Sequence, residues 1–148
     1  MKAPFEMGPH QLAWVESLES GRYQQARQAL RTEDGFCCLG VACDVSGVGK
    51  WEQRRVLGGD MMWRFNKCRE ALPPEVMEWL AVKSCTCTLN WDSSDDWRSN
   101  MKSDKYWFSV TPRSGEPSLL KLNDGGMSFV EIAQFIRKDP GLVFDEPR

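Results

Sequence analysis

The sequence predicts an α+β fold, with three or four helices packed on a small antiparallel sheet in a single compact domain spanning residues 1–148. Three observations carry this expectation. Proline-led segments near residues 9 and 73 place apolar residues three and four apart. The segment from 128 to 140 carries a complete set of helix start and stop signals. Short runs at 85–89 and 107–110 have strand composition. A chain of 148 residues is long enough to bury a core without disulfides or metal to hold it.

The elements follow in order. Pro9, Leu12, Ala13, Trp14, Val15 and Leu18 predict a first helix that stops at Ser20 and Gly21. The stretch 23–30 fits helix and strand equally poorly, and TEDG at 32–35 signals a turn. Residues 36–45 are almost continuously apolar and read as a short strand passing into a buried helix. A glycine-rich loop covers 46–50, and 51–68 shows no clear period. LPPEVMEWLAV opens a helix at Pro73 or Pro74, with Val76, Met77, Trp79 and Leu80 facing inward. Cys85, Thr86, Cys87, Thr88 and Leu89 form one expected strand and residues 107–110 a second, separated by a polar, tryptophan-rich loop or insertion at about 89–106. Asn123 and Asp124 before Gly125 and Gly126 make a turn. Ser128 and Glu131 then have capping-box spacing, followed by the apolar stripe of Phe129, Ile132, Ala133, Phe135 and Ile136. Arg137 and Lys138 lie in the last turn, and Pro140 is the stop.

Composition narrows the function. The net charge is -2, and the cations are scattered, which argues against a general nucleic-acid binder. No apolar run approaches the length of a membrane span. MKAPFEMGPHQLAW lacks the apolar centre of a signal peptide, so the expected location is the cytosol. Seven tryptophans in this length supply core and leave one or two rings for stacking against a ligand.

The six cysteines, Cys37, Cys38, Cys43, Cys68, Cys85 and Cys87, contain no C-x-x-C pair, and His10 is the one histidine. Buried free thiols acting as small apolar groups are therefore expected, with a site joining Cys68, Cys85 and Cys87 as the weaker alternative. No disulfide framework suits a reducing cytosol. His10 belongs to the polar start of a helix rather than to a thiol nucleophile. The acidic Asp95 and Asp96 lack the glycine and glutamate of a calcium loop. No phosphate-binding loop, nucleophile elbow or zinc-protease motif occurs. The expectation is no catalytic residue, no metal and no cofactor.

Residues 14–31 (WVESLESGRYQQARQALR), 35–44 (GFCCLGVACD), 72–80 (LPPEVMEWL) and 122–136 (LNDGGMSFVEIAQFI) together resemble a group of small proteins encoded by tailed phages and prophages. The shared signals are Gly-x-Tyr-x-Gln, Cys-Cys-Leu-Gly-Val, Pro-Pro and Leu-Asn-Asp with Ser-Phe-x-x-Ile-Ala. Ala26 departs from a small glycine after the Gln, and the stretch 89–110 has no counterpart. The resemblance implies phage origin and brings no activity with it.

The expected function is that of a non-enzymatic phage protein countering host antiviral defence by sequestering a nucleotide-derived signal. Rings stack on bases and arginine forks grip phosphates. The expected ligand-binding residues are Trp51, Arg54, Arg55, Trp63, Arg64, Asn123 and Asp124, with Arg98 a further cation near the tryptophans. One alternative is a protein inhibitor that docks on a host defence protein through Trp91, Trp97 and Trp107. Another is a metal-assisted hydrolase using Asp44, Asp60, Asp124 or Glu131. Expected partners are thus a small nucleotide-like ligand or a host defence protein, without membrane or general nucleic-acid binding, and self-association into a homo-oligomer stays open.

Overall fold

A computed structural model of the chain describes residues 5–59, 61–89 and 117–148. Among these residues the fold is α+β, with five α-helices and a two-stranded antiparallel sheet. Helix α1 (Pro9–Glu19) starts on Pro9, with Gln11 Oε1 accepting from Gly8 N–H at 2.9 Å, and buries Trp14, Val15 and Leu18. Helix α2 (Cys38–Ser46) follows the irregular segment 21–37. Strands β1 (Trp51–Arg55) and β2 (Met61–Phe65) form a hairpin, in which Trp51 lies opposite Phe65 and Arg55 opposite Met61. Helices α3 (Pro74–Leu80), α4 (Leu119–Asp124) and α5 (Phe129–Lys138) complete the set, and a 3-10 turn, Pro140–Leu142, follows. None of the described helices is long and apolar enough to cross a membrane.

The helices pack chiefly on one another. α1 lies against α5 and α2, while α2 also meets α3 and α4. Trp14 is fully buried at their junction, and its indole N–H donates to the Cys38 carbonyl at 2.9 Å. Truncating a ring so placed costs about 3–5 kcal/mol. The CCLGV segment is the middle of this core. Cys37 is the N-cap of α2, its sulfur accepting from Gly40 N–H at 3.4 Å. Gly40 itself is required by close approach, because a Cβ there would overlap the Leu30 carbonyl. At the other end Gly47 closes α2 in the left-handed region, at φ 65°.

The α5 capping box forms as the Ser-x-x-Glu spacing predicts. Glu131 N–H donates to Ser128 Oγ, and Ser128 N–H donates to Glu131 Oε1, both at 3.2 Å.

Three elements differ from expectation. Asn123 and Asp124 are the last residues of α4 rather than a free turn, since Ser118 caps this six-residue helix by accepting from Lys121 N–H. Two turns of helix are too short for periodicity to reveal. Residues 85–89 do not form a strand, and only Thr88 pairs, with Ser118. Ser84 Oγ accepts from Thr88 N–H at 3.0 Å and bonds Thr88 Oγ1 at 2.6 Å, so side-chain hydroxyls take backbone donors that a ladder would use. Cys87 accordingly turns to φ 55°. The aperiodic stretch 51–68 contains the hairpin, whose β1 exposes Glu52, Gln53, Arg54 and Arg55 on both faces and so carries no alternation. The tryptophan-rich stretch with Trp91, Trp97 and Trp107, the strand expected at 107–110, and Arg98, Asp95 and Asp96 lie outside the described residues.

Asn123, with no exposed surface, ties these parts together. Its Oδ1 accepts from Cys38 N–H at 3.1 Å and from Gln25 Nε2 at 3.0 Å, and its Nδ2 donates to the Ala26 carbonyl at 3.0 Å. Gln25 Nε2 also reaches the Met127 carbonyl at 2.8 Å, and Gln25 Oε1 accepts from Phe129 N–H at 3.2 Å. One pair of carboxamides thus joins the 24–28 segment to the starts of α2 and α5 and the end of α4.

Asn123→Ala leaves several buried polar groups unsatisfied and is expected to destabilise the protein by about 2–4 kcal/mol, read as a fall in chemical-denaturation stability. Gly40→Ala is expected to cost at least about 3 kcal/mol, since backbone rather than a flexible side chain must move.

Candidate functional site

The hairpin has an aromatic face. Residues directly opposed in an antiparallel pair project to the same side, so Trp51, Gln53, Arg55, Met61, Trp63 and Phe65 share one face, and Glu52, Arg54, Met62 and Arg64 the other. Trp51 packs edge-on against Phe65, Trp63 and Phe36, and Phe36 against Tyr23. Asp44, near the end of α2, holds this array from below. One carboxylate oxygen accepts from Tyr23 Oη at 2.6 Å and the other from Trp51 Nε1 at 3.1 Å. Burial first, then the hydrogen bond to Asp44 and its charge, push the Tyr23 phenol up to about 12.

Arg31 enters this array from the end of the 21–31 segment. Its guanidinium lies 3.7 Å from the centre of the Trp63 ring, 4.9 Å from Phe36 and 5.3 Å from Trp51. Among the described residues it has no carboxylate or other acceptor, and the neighbouring Trp63 Nε1–H is buried and equally without one. Two kinds of donor, one of them cationic, are therefore held by rings with nothing described to receive their hydrogen bonds.

Of the expected ligand residues, Trp51, Trp63 and Arg55 share this face. Arg54 and Arg64 project to the other, where the half-buried Arg64 lies 3.8 Å from the exposed Glu52 in a loose pair of little energetic weight, with the Arg64 Nε buried and unpartnered. Asn123 and Asp124 are not part of the hairpin. Asn123 is consumed by the network above, and Asp124 Oδ1 accepts from Gln28 N–H at 3.0 Å. Sequence reasoning passed over Arg31, Phe36 and Tyr23. The Gly-x-Tyr-x-Gln signal marked the segment, but no period placed Arg31 beside tryptophans twenty and more residues away. His10, at the start of α1, stacks on Trp79 with ring centres 4.6 Å apart, its Nδ1 3.0 Å from the Trp79 carbonyl.

The residues weighed for metal-assisted hydrolysis are occupied separately: Asp44 with Tyr23 and Trp51, Asp124 with Gln28, and Glu131 with its cap, while Asp60 lies outside the described residues. Among the described residues no three His, Cys, Asp or Glu side chains gather as a metal would need. Cys37, Cys38, Cys43 and Cys87 are buried, Cys68 is half-buried and Cys85 exposed. Burial raises the four buried thiols, Cys37 to about 11, so they stay protonated and unreactive. An open groove of about 420 Å³ lies between α3 and the last residues, lined by Met77, Glu78, Val82 and Asp145 among others, apart from all seven expected residues.

A family model described as a domain of unknown function, DUF8296, matches residues 10–140. The chain belongs to the DUF8296 family. No curated protein and no solved structure matches it. The matched span of this DUF8296 chain takes in the hairpin, the Arg31 cluster and every residue of the Asn123 network.

Two measurements check this geometry. In the native protein a thiol-specific reagent at neutral pH should label Cys85 quickly and Cys68 more slowly, leaving Cys37, Cys38, Cys43 and Cys87 silent until denaturant is added. Because the folded Tyr23 phenol ionises near 12 rather than at its ordinary 10.0, its contribution to stability is complete below pH 10 and is lost as pH rises through that window. Ultraviolet titration should show one late-ionising tyrosine that Tyr23→Phe removes.

Proposed function

We propose that the protein is a phage-encoded, non-enzymatic binding protein that works in the host cytosol against antiviral defence by sequestering a nucleotide-derived signalling molecule. The ligand is read onto the aromatic face of the hairpin. The observation that carries this reading is the Arg31 guanidinium, stacked 3.7 Å over Trp63 beside an unpartnered indole N–H, with donors directed by the rings and no acceptor among the described residues. The buried indole N–H of Trp63 without an acceptor calls for an explanation, and an anionic oxygen drawn by the half-buried Arg31 cation is one. A phosphate group has the oxygens to accept from both the guanidinium fork and the indole, and the charge to complement Arg31. Arg55, on the same face, adds a second cation, and the edges of Trp51 and Phe36 offer surface for a planar base.

A second reading has its own observation. The hairpin tip presents Val56 and a fully exposed Leu57, which suits docking on a host defence protein. It places the contact at the tip rather than at Arg31.

Thermal unfolding with a panel of cyclic nucleotides, linear dinucleotides, ADP-ribose derivatives and inorganic phosphate separates the two. At a ligand concentration of about a hundred times Kd, binding to the folded state adds roughly 2.7 kcal/mol and raises Tm by several degrees. The shift is expected for at least one phosphorylated compound and is expected to vanish in Arg31→Ala and survive Leu57→Ser. No shift for any compound removes the sequestration reading and leaves the docking one.

A further inference from the structure

β1 has β2 on one side and, among the described residues, no hydrogen-bonded strand on the other. Its Glu52, Gln53, Arg54 and Arg55 are exposed. An open edge is a template for another strand, and charges along it ordinarily discourage pairing. Here they are ordered so that one partner fits. The run WEQRR, turned end for end about Gln53, sets Glu52 against Arg54 and Trp51 against Arg55.

Opposed residues of an antiparallel pair must share a face, which 51 with 55 and 52 with 54 do. Moving the centre by one residue opposes Glu52 to Glu52 or Arg54 to Arg54, so charge disfavours the neighbouring registers.

We propose that two copies of this chain pair antiparallel along β1, centred on Gln53, to give a two-fold dimer with a continuous four-stranded sheet. Each Glu52 then lies between Arg64 of its own β2, already 3.8 Å away, and the partner's Arg54. Each Trp51 then lies opposite the partner's Arg55, which brings a second cation beside the half-buried indole. The backbone groups on the open side of β1 gain hydrogen bonds, and the exposed charges of two edges neutralise one another. The pairing is independent of any ligand at Arg31.

Sedimentation velocity of the full chain over a range of concentration and salt tests this. The expected result is a monomer–dimer equilibrium that weakens as salt rises. Glu52→Arg and Arg54→Glu each place like charges opposite one another twice across the two-fold and should weaken dimerisation at least about tenfold. Both residues are exposed, and circular dichroism should show both variants folded. The double exchange, E52R with R54E, should restore the dimer. Mixing the two single variants should yield a heterodimer tighter than either variant's own, because the wholly basic edge of E52R then faces the wholly acidic 52 and 54 positions of R54E. A chain monomeric at every concentration, a dimer indifferent to the single reversals, or single variants that fail to combine would each overturn the proposal.

Discussion

The fold depends on a buried carboxamide. Asn123 has no access to water, so its donor and its acceptor must be matched inside the protein or left at a cost. They are matched by backbone groups of two other segments and by Gln25, which in turn holds Met127 and Phe129. An asparagine alone suits this place: aspartate has no donor for the Ala26 carbonyl, and leucine would strand the Cys38 N–H. Because low local polarity strengthens each bond and penalises each absence, the network fixes how α2, α4 and α5 meet, which apolar packing alone leaves looser.

The aromatic face hangs on the same constraint. The segment from Gly21 to Cys37 has no helix or strand to hold it, yet it carries Tyr23, Gln25 and Arg31. Gln25 and Ala26 are held by Asn123, Gln28 N–H by Asp124, and Leu30 by Arg69 and by the start of α2. Arg31 is thereby set under Trp63 by bonds made elsewhere. The hairpin contributes little to the core beyond Phe65 and the flank of Trp51, so its place is set by the Asp44 bridge from Tyr23 to Trp51 and by ring contacts. A two-stranded hairpin is marginal by itself. Its order here is borrowed from the helical body.

Sulfur has a structural part in this arrangement. Four thiols are packed within the core, and one of them, Cys37, does as an N-cap what serine or aspartate usually does. A thiol is a weaker acceptor than a hydroxyl but costs less to bury. With Gly40 pressed under the Leu30 carbonyl, the start of α2 has room for neither solvent nor a larger side chain.

By itself the sequence determined the elements whose signals are local: α1 from its proline and apolar spacing, α3 from Pro73 and Pro74, and α5 from the Ser128 and Glu131 box; of the six thiols expected in the interior, four are buried, while Cys68 is half-buried and Cys85 is exposed in the surface turn at 84–88. It also marked Gly-x-Tyr-x-Gln and Leu-Asn-Asp as distinctive without showing that Gln25 and Asn123 meet. Tertiary structure alone decided the rest. The hairpin was hidden because β1 is exposed on both faces and so lacks alternation. α4 was hidden by its length, and the failed strand at 85–89 by hydroxyls that compete for its backbone. Arg31 joined the aromatic face through contacts with residues five, twenty and thirty-two positions along the chain. Local signals report what a segment does with its own neighbours, whereas a network or a cation under a ring is made by segments whose separation in sequence carries no trace of their meeting.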